Sequence, residues 1–273
     1  MAPDWGSLSR MPEPRDEPTP IEIASYYARG RNALVVRAEL GALFMDYYVH
    51  QMDHGLRASA GMDGMLKDAL AALLLHLVSR PVNEVTAWTV SFREPAFNLF
   101  VTGDSRRQSV VGRLFAEGVK ETPGSRFHAQ VHRDGQEVRG SMVNVSGNDM
   151  LRVVEQFYRQ SEQLPARFFR LPGDEFAMVA GMPDCDEDWI ENLEGEGIAG
   201  LAAREELKPM ERRAYAFRCG CDLRRILPAV APLARDGLDP LFQGDERLVI
   251  SCPRCAARFV LTREAMEAFL KES

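Results

Sequence analysis

The placement of its cysteines limits how this chain can fold more than any other feature. Four of the five stand in two close pairs, Cys219-x-Cys221 and Cys252-x-x-Cys255, separated by the thirty residues from Asp222 to Ser251. A structural zinc ion takes four thiolates at the corners of a tetrahedron, and two close pairs supply one edge each. Gly220 lets the first pair bend sharply, and Pro253-Arg254 falls where a zinc knuckle turns its backbone towards the sulfurs. Without a metal the residues would be two buried pairs of free thiols or two local disulfides, and a cytosolic chain has little use for structural disulfides. The expected ligands of one zinc ion are therefore Cys219, Cys221, Cys252 and Cys255.

Metal binding also answers an energetic need. The C-terminal module, residues 215–273, is too short for a thick core of its own, whereas structural zinc contributes roughly 10–16 kcal/mol to folding. The thiolates that hold the ion are also the form of sulfur that oxidants attack. An oxidised pair cannot bind metal, so oxidation can be converted into unfolding of the module and exposure of the apolar surface it covers.

The rest of the sequence divides into an N-terminal tail, residues 1–20, a mixed helix and sheet domain, residues 21–181, and an acidic linker, residues 182–214. The tail has several prolines and no apolar run, and is expected to be disordered and to serve neither as a secretory signal nor as a transit peptide. From Ile21 to about Glu84 the apolar spacing predicts mostly helix, in ALVVRAELGALFMDYYVH and again in MLKDALAALLLHLVSR, with Pro81 as the stop. Between Val85 and Val145 the period shortens towards two. AWTVSF, FNLFV, FHAQVHR and EVRGSMVNV read as strands, with Asp134-Gly135 as a two-residue hairpin turn. Asn148 or Asp149 caps a helix whose inner face is Leu151, Val154, Phe157 and Tyr158, and Ala166 to Leu171 reads as a strand. The fold class is accordingly α+β.

Over Met182 to Arg213, ten acidic residues face four basic ones and Gly195, Gly197 and Gly200 interrupt the run, which marks a linker. Trp189, Ile190, Leu193, Ile198 and Leu201 within it form an apolar stripe able to dock on the main domain; two ordinary surface helices are the alternative.

Charge and composition narrow the function. A net charge of −7, and nine basic against eight acidic residues over Tyr215 to Ser273, argue against nucleic acid as a partner. A zinc ribbon that binds nucleic acid is left as a minor alternative. No stretch has the roughly 20 apolar residues a bilayer requires, so no membrane partner and a cytoplasmic location are expected. No Ser-His-Asp signature, phosphate-cradling glycine loop or HExxH helix occurs, so no catalytic residues are assigned and the chain is not expected to be an enzyme. Cys185 sits between Asp184 and Asp186, whose charge disfavours a thiolate. His50 and His54 can share a helix face but lack an evident third metal ligand, and His76 reads as a core residue on an apolar face.

The cysteine pattern resembles that of the heat-shock-protein-33 family, the redox-regulated bacterial holdase chaperones. LVVRAEL near the start of the domain, the RQSEQLPARFF run over residues 159–169, and an FxLT-containing helix after the last cysteine pair are also similar to that family. The resemblance implies an ATP-independent holdase whose resting form binds zinc through all four thiolates. In that family oxidation joins each close pair, here Cys219 with Cys221 and Cys252 with Cys255, and the module and the linker before it unfold. The chain then binds unfolded or misfolded client proteins, typically as a homodimer. Two departures stand out: the stretch between Pro165 and Cys219 is shorter than the usual family linker, and Arg93-Glu94-Pro95 stands where the family usually carries a Gly-Asp-Gly-Pro-like turn. The alternative to a redox switch is a constitutive zinc-binding protein-interaction module.

Overall fold

Period-two alternation organises the chain from Ile21 onward. The computed structural model describes residues 18–120, 122–234 and 237–272, so most of the expected disordered tail lies outside the described residues. The chain runs β1 (Ile21–Ala28), β2 (Ala33–Glu39), α1 (Gly41–Asp53), α2 (Ala60–Val78), β3 (Glu84–Phe92), β4 (Phe97–Asp104), β5 (Ser109–Phe115), β6 (Arg126–Arg133) and β7 (Arg139–Asn144). Next come α3 (Met150–Phe157), extended by a π-helical turn (Tyr158–Glu162), then β8 (Ala166–Leu171) and β9 (Glu175–Gly181). Three short helices follow, α4 (Glu187–Glu191), α5 (Gly195–Ala199) and α6 (Leu201–Arg204), and then β10 (Leu207–Phe217). The C-terminal part holds α7 (Leu223–Val230), a 3-10 turn (Ala231–Ala234), α8 (Asp239–Phe242), β11 (Arg247–Ser251), β12 (Arg258–Thr262) and α9 (Arg263–Glu272).

Ten strands form one sheet in the order β7-β6-β3-β4-β5-β10-β1-β2-β9-β8, and β11 and β12 form a separate hairpin. Every pairing in the large sheet is antiparallel except β10 with β5, which meet only at Ala216–Ser109 and Phe217–Val110. The α+β class expected from the sequence is what the structure has.

The helix α2 explains where the core sits. From Leu66 it is buried nearly continuously, including Ala69 to Leu75, and a helix apolar on every side belongs inside. It lies on the sheet because the strands beneath are thin: a Cβ on Gly112 would come within 2.7 Å of Val101 and 2.9 Å of Leu66. Alternation then divides β2 and β9 between two clusters. Val36, Phe176 and Met178 face the α2 core, while Val35, Ala177 and Val179 face a second cluster on the opposite side of the sheet.

That second cluster is closed by the acidic segment. Ile190, Leu193, Ile198 and Leu201 are all buried against β2, β8 and β9, and Trp189 packs beside them. The stripe thus docks on the main domain. Arg31 anchors the segment further, with ion pairs to Asp186 at 2.7 Å and Glu205 at 3.0 Å. The end of the segment is not a connector either: residues 207–213 belong to β10, which pairs along β1 from Ile21–Tyr215 to Ala28–Leu207 and straddles the 214/215 position.

Four local expectations are corrected. Residues 21–39 form two strands, not helix. The apolar spacing of IEIASYYA and ALVVRAE satisfies either period, and pairing with β9 and β10 decides in favour of strand, to which Ile, Val and Tyr are suited. Asp134-Gly135 does form a turn, closed by Gln136 N–H to the Arg133 carbonyl at 3.1 Å, with Gly135 at φ 72°. Strand pairing resumes only at Val131–Arg139, so the connection is longer than a two-residue hairpin. The FxLT run, Phe259 to Thr262, is strand β12, and the helix begins after it. Strand β5 was not anticipated; Gly112 interrupts the SVVGRLF pattern because α2 presses against it.

Candidate metal centre

Each cysteine pair sits in a turn whose backbone brings the sulfurs inward. The first follows the central-sheet strand β10, which holds its exit by Arg218 N–H to the Val110 carbonyl at 3.2 Å. Gly220 then takes φ 65°, a left-handed conformation that glycine adopts without steric cost, and Asp222 caps α7 by accepting from Arg225 N–H at 2.8 Å. The second pair lies in the β11–β12 turn. Ala256 N–H donates to the Cys252 carbonyl at 3.0 Å, Cys252 N–H to the Ala257 carbonyl at 2.8 Å, and Arg254 N–H points at Cys252 Sγ at 3.4 Å. A backbone N–H directed at sulfur stabilises a thiolate.

The two pairs meet. All four sulfurs lie within 4.8 Å of one another, with Cys219 Sγ 3.7 Å from Cys252 Sγ and Cys221 Sγ 3.5 Å from Cys255 Sγ. Zn–S bonds of about 2.3 Å set the edge of an S4 tetrahedron at about 3.8 Å, so the donor set and its spacing fit a metal ion of this kind. The two close contacts join one member of each pair to the other pair, as edges of one tetrahedron do. Hydrogen bonds shared among the thiols hold Cys219 and Cys252 below the ordinary thiol range and push Cys221 and Cys255 above it. A central cation would end that competition, since it would favour the thiolate at every corner.

The cluster also forms the seam between the module and the main core. Cys252, Cys255 and Ala257 are buried as part of the α2 core, and Cys219, Cys221 and Phe259 pack on it. Arg113 on β5 donates to the Cys252 carbonyl at 2.7 Å. Burial lowers its pKa from the ordinary arginine value, an effect the charge of Cys252 and Cys255 opposes. His50 Nε2 lies 2.8 Å from the Cys255 carbonyl and so must carry the proton, because a carbonyl only accepts. His54 Nδ1 accepts from Arg258 N–H at 3.2 Å. Phe217 stacks edge-on to Tyr47 at 5.6 Å and lies 5.5 Å from the His50 ring.

The sequence-predicted residues thus separate into two groups. The four cysteines come together, while His50 and His54 are not among the clustered ligands and instead grip the backbone around Cys255. Cys185 lies apart, on the second apolar cluster, where desolvation and then the charge of Glu187 raise its pKa. His76 is a core residue as expected: it is buried, shares a 2.7 Å hydrogen bond with Tyr158 Oη, and desolvation lowers its pKa well below the ordinary value. Sequence reasoning missed Arg113, whose role depends on a contact 139 residues away and leaves no local signal.

Curated relatives named 33 kDa chaperonin include that of Photorhabdus laumondii, 22% identical over 49% of this chain and 55% of the relative. That of Serratia proteamaculans is 26% identical over 46% of this chain and 52% of the relative. The chain spans about half the length of the curated relatives it matches. The crystal structure of the 33 kDa chaperonin from Thermotoga maritima superposes with a TM-score of 0.70 at 15% identity, covering 92% of this chain and 98% of that one, which shows the fold. A family model described as Hsp33 protein matches residues 119–262, more than half of the sequence and inclusive of both cysteine pairs, and the chain belongs to the Hsp33 family.

Proposed function

We propose that the chain is an ATP-independent, redox-regulated holdase chaperone of the cytoplasm, not an enzyme, with one zinc ion held by Cys219, Cys221, Cys252 and Cys255. The observation that supports this reading is that four sulfurs from two remote pairs converge at tetrahedral spacing directly on the seam between the module and the core. When bound, zinc cross-links the two turns and keeps all four sulfurs as thiolates.

The protein's own residues make the switch. Oxidation of Cys219 with Cys221, and of Cys252 with Cys255, forms one S–S bond per pair and passes two electrons per bond to an oxidant such as peroxide. Each pair then loses its charge and its donor capacity, so the two turns are no longer tied together. The module's own buried cluster, Leu227, Ala234, Phe242, Leu261 and Met266, is thin. Undocking would uncover Tyr47, Leu66 and Leu114, which line the cavity beneath Cys255. That apolar surface is suited to unfolded client proteins and, in the activated form, to a second copy of the chain.

A constitutive zinc protein-interaction module is the second reading, favoured by the integration of residues 187–217 into the sheet and its second cluster. No helix among the described residues is long and apolar enough to cross a membrane. The deciding experiment follows aggregation of a thermally unfolding client with the reduced, zinc-loaded protein and with the peroxide-oxidised protein. Suppression confined to the oxidised form supports the switch; equal suppression by both, or by neither, rejects it.

A further inference from the structure

On the helix-covered side of the sheet, far along the chain from the cysteines, a cavity of ≈ 260 Å³ opens between β3, β6, β7, the C-terminal end of α2 and the π-helical turn. The turn matters to its shape: i→i+5 bonding is rare and concentrates at functional sites, and here it delivers Ser161 and Glu162 to the cavity wall, where Ser161 bonds to Ser141 of β7 at 2.8 Å.

Charge and hydrogen bonding in the cavity do not close on themselves. Arg80 pairs with Glu162, and Arg133 reaches Glu84 through Nε at 2.6 Å. Arg139, the third guanidinium, has among the described residues only the already engaged Glu84 carboxylate at 3.9 Å. Three cations thus face two anions. Two further groups lack a hydrogen-bond partner among the described residues: Trp88 Nε1, on a fully buried side chain, and Arg80 Nε. Both can only donate. The facing His76 is held neutral by burial and adds no charge. The remaining wall is apolar, formed by Phe157, Val131 and the Trp88 ring. A water molecule would satisfy a donor but would leave the excess positive charge and the apolar wall unused, and a metal cation would be repelled.

We propose that this cavity binds a small organic carboxylate with an apolar body, its oxygens taking the Trp88 and Arg80 donors and the charge of Arg139, and its body resting on Phe157 and Val131. Small-ligand sites commonly combine an apolar wall with a few convergent polar groups in this way. The site shares no residue with the cysteine cluster, so it stands or falls independently of redox switching.

Titration calorimetry and thermal melting of the full-length reduced protein, with sodium phenylacetate as probe, test the assignment. Saturable binding with a dissociation constant on the order of millimolar and a raised melting temperature are expected. Arg139→Gln, at a position whose side chain is 65% exposed and therefore harmless to folding, should weaken binding about tenfold, the worth of one charge-assisted hydrogen bond. Trp88→Phe removes the Nε1 donor together with part of the ring, and should weaken binding several-fold; a melting curve of the unliganded variant separates this from the void it leaves at a fully buried position. The neutral analogue 2-phenylethanol should give no saturable signal. Absence of phenylacetate binding, unchanged affinity in Arg139→Gln, or an equal response to 2-phenylethanol or inorganic phosphate would overturn the proposal.

Discussion

The main domain and the C-terminal module reach the folded state by different means. The domain encloses α2 in a continuous core that runs from Ile23 on β1 through Trp88 on β3 to Phe157 on α3, and its stability comes from removing apolar surface from water. Among the described residues the module buries five side chains in a cluster of its own and leaves Leu233, Val249 and Val260 exposed. It is joined to the domain chiefly where the cysteines are. A region held by many small contacts resists any one chemical change; a region whose seam gathers four thiols, with Arg113, His50 and His54 around them, is open to a reaction at one point. That asymmetry is what the proposed switch would use.

The largest expected effect separates the two regions outright. Removing metal with a chelator, or substituting Ser for Cys252 and Cys255, should cost the module roughly 10–16 kcal/mol of folding free energy. Amide exchange should then show loss of protection over residues 219–272 and none in α2. Loss of protection in both regions would mean that they are one cooperative unit.

A smaller effect tests the domain from its own side. Leu73→Ala, at a fully buried position on α2, should destabilise the domain by about 2–5 kcal/mol and leave the metal content unchanged; parallel denaturant unfolding and metal analysis check it. Arg113→Ala acts at the seam. Losing its hydrogen bond to the Cys252 carbonyl should cost about 1–3 kcal/mol and speed peroxide-driven metal release, read with a colorimetric zinc indicator, without altering the α2 amides.

The smallest effect is acid sensitivity of the domain. His76 has a folded pKa well below its ordinary 6.5 because desolvation disfavours the charged ring. Below about pH 6.5 the unfolded chain therefore binds a proton that the native chain does not. Stability falls with pH from there down to the folded pKa, by at most about 1.4 kcal/mol per unit. Asp68, raised by desolvation, contributes with the opposite sign, so the informative quantity is the difference from His76→Gln, which should show a shallower decline in tryptophan fluorescence melts.

Legibility in the sequence followed the same division. The cysteine cluster was readable because its determinants are a residue type and a spacing that few other arrangements use, and Gly220 marks the turn that a tight Cys-x-Cys pair requires. The strands around Trp88 and the cap at Asp149 were readable because period two and capping are local. What escaped depends on distant partners. Residues 21–39 carry apolar spacing compatible with either helix or strand, and β9 and β10, more than a hundred residues away, decide between them. The acidic segment looked like a connector by composition, yet Ile190 and Ile198 bury completely once β2 and β9 present a second apolar face. His50 and Arg113 are ordinary residues until Cys255 and Cys252 dock on them.

The account depends on one metal ion tying the module to the domain, and hydrogen exchange recorded alongside metal and thiol titration during peroxide treatment tests this most directly. One zinc per chain should be released as four thiols are lost, and the amides of residues 219–272 should deprotect in step while α2 keeps its protection. Loss of all four thiols with the module still protected, or a reduced protein that is fully folded without metal, would contradict it.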